Sequence, residues 1–457
     1  MFILIKVILH AIMTLPNFEP NTLVRINTKS QSYEGRILPA EGEFIVLKLS
    51  SGYNLGINPK NIMSVEKLPE KDFDQQSSSD VSDSSSVIKQ NTDLPKLRIL
   101  HTGGTIASKV DYKTGGVIAE FEPEALIALF PELSDITFVE SEFLGNMFSD
   151  DFRFSHFNKI AKAVKKAVDE GVKNIIVTSG TDFLHYLSAG LTFMLKDLDV
   201  GVMVVGSQRS SDRGSSDAAM NLVCAAQFLA TTNFDGVGVC MHENTDDNTC
   251  LILPGINTRK MHSSRRDAFK GINTMPLARV NYETKTVNLL EGLNIDDTKN
   301  TEKSGELFLL NETLKIGLLY SHPNMSSEEI SHYESFDGLV VAGSGLGHLP
   351  ITKVDDDTKE HEKNASAIES VAKRIPVVMS TQTLYGRVHM NVYSPAKKLR
   401  EFGIAGHLNP LTPESTYMKL AWLLSNNKDS RNSEKIAEIF EEEINGELSD
   451  LRQNEFY

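Results

Sequence analysis

Between Thr22 and Leu68 apolar residues alternate with polar ones in short runs: TLVRINT, SYEGRILPA, FIVLKLSS, YNLGINP and IMSVEKL. Val24 and Ile26, then Ile45, Leu47 and Leu49, recur at period two, which puts every second side chain on one face of a strand. Gly42, Ser51-Gly52 and Asn58-Pro59 break the runs with turn residues. The pattern predicts a small antiparallel β-barrel. From Leu97 the periodicity changes. LRILH, NIIVT, GVMVV and GVGVC are short β-rich runs, and between them Phe157, Ile160, Val164 and Val168 recur at the spacing of one helix face. Strands alternating with helices predict βαβ units and a mostly parallel sheet. Ser215-Ser216-Asp217 reads as the cap of a further helix, AAMNLVCAAQFLA. A shorter α/β pattern follows: KIGLLY, GLVVA and PVVM, then PESTYMKLAWLLS as a helix with Pro413 in its first turn, then IAEIFEEEINGELSDL as a helical tail.

The stretch from Ser77 to Ser86 is nearly all Ser and Asp. It has almost nothing to bury, so its ordering entropy is not repaid and it reads as a disordered linker. The expected organisation is an extension at 1–13, a barrel at 14–72, a linker at 73–94, a larger catalytic α/β domain at 95–311, and a smaller α/β domain with its helical tail at 312–457.

With 457 residues, a prior of about three domains agrees with that division. Forty per cent hydrophobic and 23% charged residues exclude wholesale disorder, and a net charge of −15 means the molecule as a whole does not attract polyanions. Cys224, Cys240 and Cys250 are odd in number and form no CxxC pair, so neither a disulfide framework nor a zinc ribbon is expected. That usage fits a reducing cytoplasm. The apolar start, Phe2 to Met13, is too short to span a bilayer and lacks a basic leader region and a small-residue cleavage site. It reads as a frayed extension, or as a misassigned start with Met13 as the true one.

Two strand-to-loop junctions carry candidate chemistry. ILHTGGTIAS runs from a strand straight into Thr102, Gly103, Gly104 and Thr105, and IIVTSGTDFLHY places Thr178, Gly180, Thr181 and Asp182 at the corresponding point of another strand. In an open parallel sheet, ligands bind beyond the carboxyl ends of the strands. No G-x-x-x-x-G-K-[ST] is present, no G-x-G-x-x-G leads from a strand into a helix, and GSGLGH at 343–348 is a turn. A threonine hydroxyl is a poor nucleophile and needs a base; Asp182 with a nearby lysine, Lys260 in NTRKMHSSRRDAF, is the candidate. His242, Glu243, Asp246 and Asp247 match no metal-ligand spacing and read as a polar loop. Asp212 and Arg213 read as a buried pair. His262 with Arg265-Arg266 reads as support for Lys260 or as a partner contact, and Trp422 as helix-packing core.

TGGTIAS, TSGTD, GSQRSSDRGSSDAAMNL and RKMHSS resemble, in order, the signature blocks of the asparaginase/glutaminase superfamily with threonine nucleophiles. The barrel, similar to SH3 or Tudor modules, the Ser-rich linker and GIAGHLNPLTPESTYMKLAW narrow the resemblance further, from Thr22 onward. They resemble the D-type, ammonia-producing subunit family of the archaeal glutamyl-tRNA(Gln) amidotransferases. The resemblance implies an asparaginase-like two-domain α/β body with mostly parallel sheets behind the barrel. It carries the catalytic set onto Thr105, Thr181, Asp182 and Lys260. One threonine, Thr105 as the match to the family's first catalytic threonine, attacks the glutamine carboxamide, and Thr181, Asp182 and Lys260 move the proton; sequence leaves open which threonine attacks. Ser149 in SDDFRFSHF matches the serine that contacts the substrate carboxylate, with Phe152 and Phe157 where the family has Met and Trp. Tyr112 is the candidate lid tyrosine.

The implied activity is that of a cytoplasmic glutaminase subunit that supplies ammonia. Its amidotransferase partner, the E-type kinase-transferase subunit, uses the ammonia with ATP and Mg to convert Glu-tRNA(Gln) into Gln-tRNA(Gln). This chain itself binds no cofactor or metal. Glu-tRNA(Gln) is held mainly by the partner, and the assembly implied is a homodimeric core within a heterotetramer. Two other functions are compatible with parts of the chain: a free-standing L-asparaginase/glutaminase, which usually lacks barrel and linker, and a non-catalytic binding module.

Overall fold

The computed structural model describes residues 22–28, 31–38, 45–49, 54–69, 90–104, 106, 108–110, 117–119, 126–127, 130–209, 215–290, 303–429 and 432–446. The first unit is the N-terminal β module. Its strands β1 (Leu23–Thr28), β2 (Ser32–Leu38), β3 (Ile45–Leu49), β4 (Asn54–Ile57) and β5 (Ile62–Lys67) form one antiparallel sheet in the order β4-β3-β2-β1-β5. The first strand therefore lies between the second and the last, Val24 facing Gly35 on one side and Lys67 on the other. Among the described residues β4 and β5 do not pair, so the ladder is open there. The period-two residues Val24, Ile26 and Leu47 are fully buried with Ile57, and Tyr33, Ile37 and Val65 pack against them. A 3-10 turn at Pro59–Asn61 enters β5, with the Asn58 side chain accepting from the Lys60 amide at 3.0 Å.

The α/β body is the second unit and starts at Gln90, whose carboxamide pairs with both backbone groups of Val139 at 2.7 and 3.1 Å. Its strands along the chain are β6 (Lys96–His101), β9 (Phe138–Phe143), β10 (Asn174–Thr178), β11 (Gly201–Val205), β12 (Gly236–His242), β13 (Thr249–Pro254), β14 (Thr258–Lys260), β15 (Phe269–Gly271), β16 (Ala278–Asn281) and β17 (Val287–Leu289), while the hairpin β7 (Ser108–Val110) and β8 (Val117–Ala119), between β6 and β9 in the chain, belongs to the first unit. Eight of them build one sheet, β17-β16-β13-β12-β11-β10-β6-β9. From β9 to β12 it is parallel, as the βαβ pattern requires; β13, β16 and β17 extend it antiparallel. Helices Phe154–Asp169, Leu184–Met194 and Ala218–Thr231 connect the parallel strands. The helix that opens at Phe154 turns Phe157, Ile160 and Val164 inward, each worth of order 2 kcal/mol by burial.

Strands β18 (Ile316–Tyr320), β19 (Gly338–Gly343) and β20 (Val377–Thr381) form a second, parallel sheet. One apolar cluster runs from Val204 of the large sheet to Val340 of the small one. Trp422, on helix Pro413–Asn426, lies in that cluster against Phe193 and Phe308. Asn158 ties the connection between the sheets to its helix, donating to Leu310 O and accepting from Leu310 N, both at 2.8 Å. The last helix among the described residues is Ser433–Phe440. It begins before the apolar run IAEIF and stops ahead of EEEING, burying Ile436 and Phe440. The extension at 1–13 lies outside the described residues.

Candidate active site

The registers of the large sheet bring the two threonine loops together. Thr178 of β10 lies opposite His101 of β6, so the segments that leave both strands emerge at one sheet edge. Thr102 joins them, donating from Oγ1 to the Thr178 carbonyl at 2.7 Å. Gly103 and Gly104 have φ of +122° and +84°. A Cβ on Gly104 would stand 2.8 Å from Gly180 N, so the TGG and TSG backbones touch.

Thr181, Asp182 and Phe183 then lead into helix Leu184–Met194. The Phe183 N–H, one of the donors that a helix start leaves unmet, is taken by the Oγ of Ser149, 1% exposed, at 3.0 Å. Lys260 enters from β14. Its Nζ donates to Thr181 Oγ1 and to Asp182 Oδ1, both at 2.8 Å. The two acceptors differ in environment: Thr181 is buried, whereas the Asp182 side chain is 69% exposed and that of Lys260 is 9%. Asp182 thus meets solvent while the amine and the hydroxyl are shielded from it. As an ammonium Lys260 donates to both neighbours; as an amine it is placed to accept the Thr181 proton.

Gln208 is the further residue at this point. Thr181 Oγ1 donates to Gln208 Oε1 at 3.4 Å, and the Nε2 of Gln208 is buried without a partner. Its backbone is fixed by Asp217, whose carboxylate accepts from Gln208 N at 3.0 Å and Ser207 Oγ at 3.1 Å. The Ser215-Ser216-Asp217 signal does open helix Ala218–Thr231, yet the Asp217 side chain makes no cap and turns back to this strand end. Gln208 lies inside the block GSQRSSDRGSSD, but nothing in that block distinguishes it from its neighbours; only the approach of β11 to β10 does.

Beneath the set lies His185, in the first turn of the same helix. Burial pushes it down to about 4, against a smaller upward pull from Glu414. His101, packed behind Thr178, is also lowered to about 4 by burial.

Thr105 and Tyr112 lie outside the described residues, as do Asp212 and Arg213. His262 does not reach Lys260: its Nδ1 accepts from the amides of Ser264 and Arg265 and shapes its own loop. Arg265 pairs with Asp267, and Arg266 with Asp247. Glu243 is held by Arg279 and Thr249, and His242 Nδ1 by Asn221. Among the described residues no group of three or more His, Cys, Asp or Glu is placed to hold a metal ion, and no helix is long and apolar enough to cross a membrane. The three cysteines are free and buried.

Comparison with known proteins agrees with this architecture. Residues 18–68 match the GatD N-terminal domain, 96–292 the family Asparaginase, N-terminal, and 315–440 the Glutaminase/Asparaginase C-terminal domain. The D-type subunit of the Pyrococcus furiosus glutamyl-tRNA(Gln) amidotransferase is 37% identical over 419 residues, 88% of this chain and 89% of that one. Its counterpart in Methanococcus maripaludis is 36% identical, over 93% and 97%. Among solved structures, the thermostable L-asparaginase from Thermococcus kodakarensis superposes with a TM-score of 0.65 at 29% identity, covering 78% of this chain and 99% of its own.

Proposed function

This chain belongs to the GatD family, the D-type subunits of glutamyl-tRNA(Gln) amidotransferases, and from that premise we propose that it hydrolyses glutamine and hands the ammonia to a partner subunit. That partner, the E-type kinase-transferase, uses ATP and Mg to convert Glu-tRNA(Gln) into Gln-tRNA(Gln), in the cytoplasm and within a heterotetramer built on a homodimer of this chain. No cofactor is bound by this chain. The observation that carries the chemistry is Lys260 Nζ seated 2.8 Å from both Thr181 and Asp182.

In the first half-reaction a threonine Oγ, from Thr105 or Thr181, attacks the carboxamide carbon of glutamine. The C–N bond breaks, and the nitrogen leaves as ammonia with the proton taken from the attacking hydroxyl and relayed through Lys260. Water then opens the acyl ester, releasing glutamate and returning the proton. Asp182, open to solvent and bonded to Lys260, holds the amine in line and exchanges protons with water. Ser149 uses an oxygen lone pair for the Phe183 amide, which leaves its hydroxyl hydrogen free to donate to the substrate carboxylate. Tyr112 closes over the bound glutamine as a lid.

The test is ammonia release from glutamine by the purified chain, alone and with partner, ATP and Glu-tRNA(Gln). Glutamine-supported amidation should vanish in Thr105→Val and in Lys260→Ala. Survival of amidation in either variant overturns the mechanism, and rapid partner-free asparagine turnover would make the chain a free-standing asparaginase instead.

A further inference from the structure

Lys260 closes a strand only three residues long. β14 pairs with β15, another three residues, in a two-stranded ribbon separate from the eight-stranded sheet. A ribbon of that size is marginal without outside support, yet its last side chain has to meet two acceptors at once. Helix Leu184–Met194 and β13 of its own domain pack against the ribbon, and further support comes from the second α/β domain. Arg259, next to the lysine, donates from Nε to Glu414 Oε1 at 3.0 Å, with Nη2 2.9 Å from the same oxygen. Glu414 stands in the first turn of helix Pro413–Asn426, its side chain 6% exposed. Two asparagines bracket the ribbon in the left-handed region, Asn257 at φ +62° and Asn273 at φ +55°, a conformation asparagine tolerates better than most residues. Asn257 accepts from Thr412 N at 3.1 Å and donates its own N–H to Ser415 Oγ at 3.2 Å. Asn273 donates to the carbonyls of Gly386 and Pro410, both at 2.8 Å.

The ion pair is badly explained by stability. Glu414 Oε2 is buried without a hydrogen-bond partner, as is Nδ1 of His185, the buried histidine under Thr181 and Asp182. Desolvating a carboxylate and using one of its oxygens costs more than burying apolar side chains of equal volume. What the pair does achieve is geometric: it fixes the middle of β14 from a helix of the other domain.

We propose that Arg259 and Glu414 are positioning residues. Their pair sets the height and direction of β14 so that Lys260 Nζ reaches Thr181 and Asp182 together, and it makes alignment of the relay depend on the seating of the second α/β domain. The inference rests on the reading of Lys260 as the proton relay.

The experiment is steady-state glutamine hydrolysis by the full chain with its amidotransferase partner, for the parent, Glu414→Gln, Arg259→Met, the double variant, Arg259→Lys and Lys260→Met, with thermal unfolding of each. Each of the first two should lower kcat at least about tenfold while KM moves less than about twofold, as loss of alignment without loss of substrate binding requires. The double variant should be no slower than the worse single, because both remove one contact. If either fails to fold, Arg259→Lys, which keeps the charge and shortens the fork, should fold and show the same split at smaller size. Parent kcat in the folded variants, or losses that simply add, overturns the proposal. If Lys260→Met is inactive while the pair variants run at parent rate, the positioning idea alone fails. If Lys260→Met keeps parent activity, the relay fails first and the positioning idea with it.

Discussion

Lys260 donates from Nζ to Thr181 Oγ1 across 2.8 Å, although the two residues are 79 positions apart, one at the end of β14 and the other in the loop after β10. With Thr181 buried, that contact is the shielded half of the relay. Thr181→Val and Lys260→Met should each cut glutamine turnover by about 10³ or more, read as ammonia release. A rate near that of the parent in either would remove the relay.

Asp182 is the exposed half. Because its side chain is 69% exposed, its ion pair with Lys260 adds less than about 1 kcal/mol to folding. Asp182→Asn should therefore leave the urea midpoint nearly unchanged while lowering kcat. A large loss of stability would show that the residue is structural.

Gly206 tests how tightly Thr181 is held. A Cβ there would lie 2.8 Å from Thr181 Cγ2 and 2.9 Å from Leu184 Cδ1. Gly206→Ala should displace the threonine and depress kcat well beyond its stability cost of about 1–3 kcal/mol. Equal losses in kcat and in the fraction folded would contradict this.

Ser149→Ala removes the acceptor of the Phe183 N–H in a buried setting. An amide left without a partner costs about 1–3 kcal/mol, and the serine hydroxyl proposed for the substrate carboxylate goes with it. Lower stability together with a raised KM for glutamine is the expected pair of changes; an unchanged KM would take Ser149 out of the substrate site.

His101 and His185 give the fold an acid limit. Burial lowers both from 6.5 to about 4, so between those values the unfolded chain binds more protons than the folded one. Their contribution is complete above about pH 6.5 and shrinks as pH falls toward 4, by about 3 kcal/mol for each histidine. The urea midpoint should drop between pH 7.5 and pH 5, with a shallower slope in His101→Asn. A midpoint independent of pH over that window would rule the effect out.

Much of the architecture was readable from periodicity alone. LRILH, NIIVT, GVMVV and GVGVC became β6, β10, β11 and β12 because buried parallel strands need uninterrupted apolar runs, and Val24, Ile26 and Leu47 of the period-two pattern became the core of the N-terminal module. The antiparallel extension β13-β16-β17 was not visible, since Thr249–Pro254 carries no signal for the direction of its neighbour. The same division runs through the candidate site. Thr181, Asp182 and Lys260 stand out as residue types in recognisable blocks, whereas Gln208, Arg259 and Glu414 look like ordinary polar positions. Their part depends on which strand end lies beside which helix: Arg259 and Glu414 are 155 residues apart and meet only because two domains pack on one apolar core. Local sequence determines which elements form and what chemistry they can carry, because propensity and periodicity act over a few residues. Tertiary packing alone decided that one lysine amine reaches a buried hydroxyl and a solvent-facing carboxylate at once, because hydrogen bonds form over about 3 Å and only the assembled sheets bring such distant residues that close.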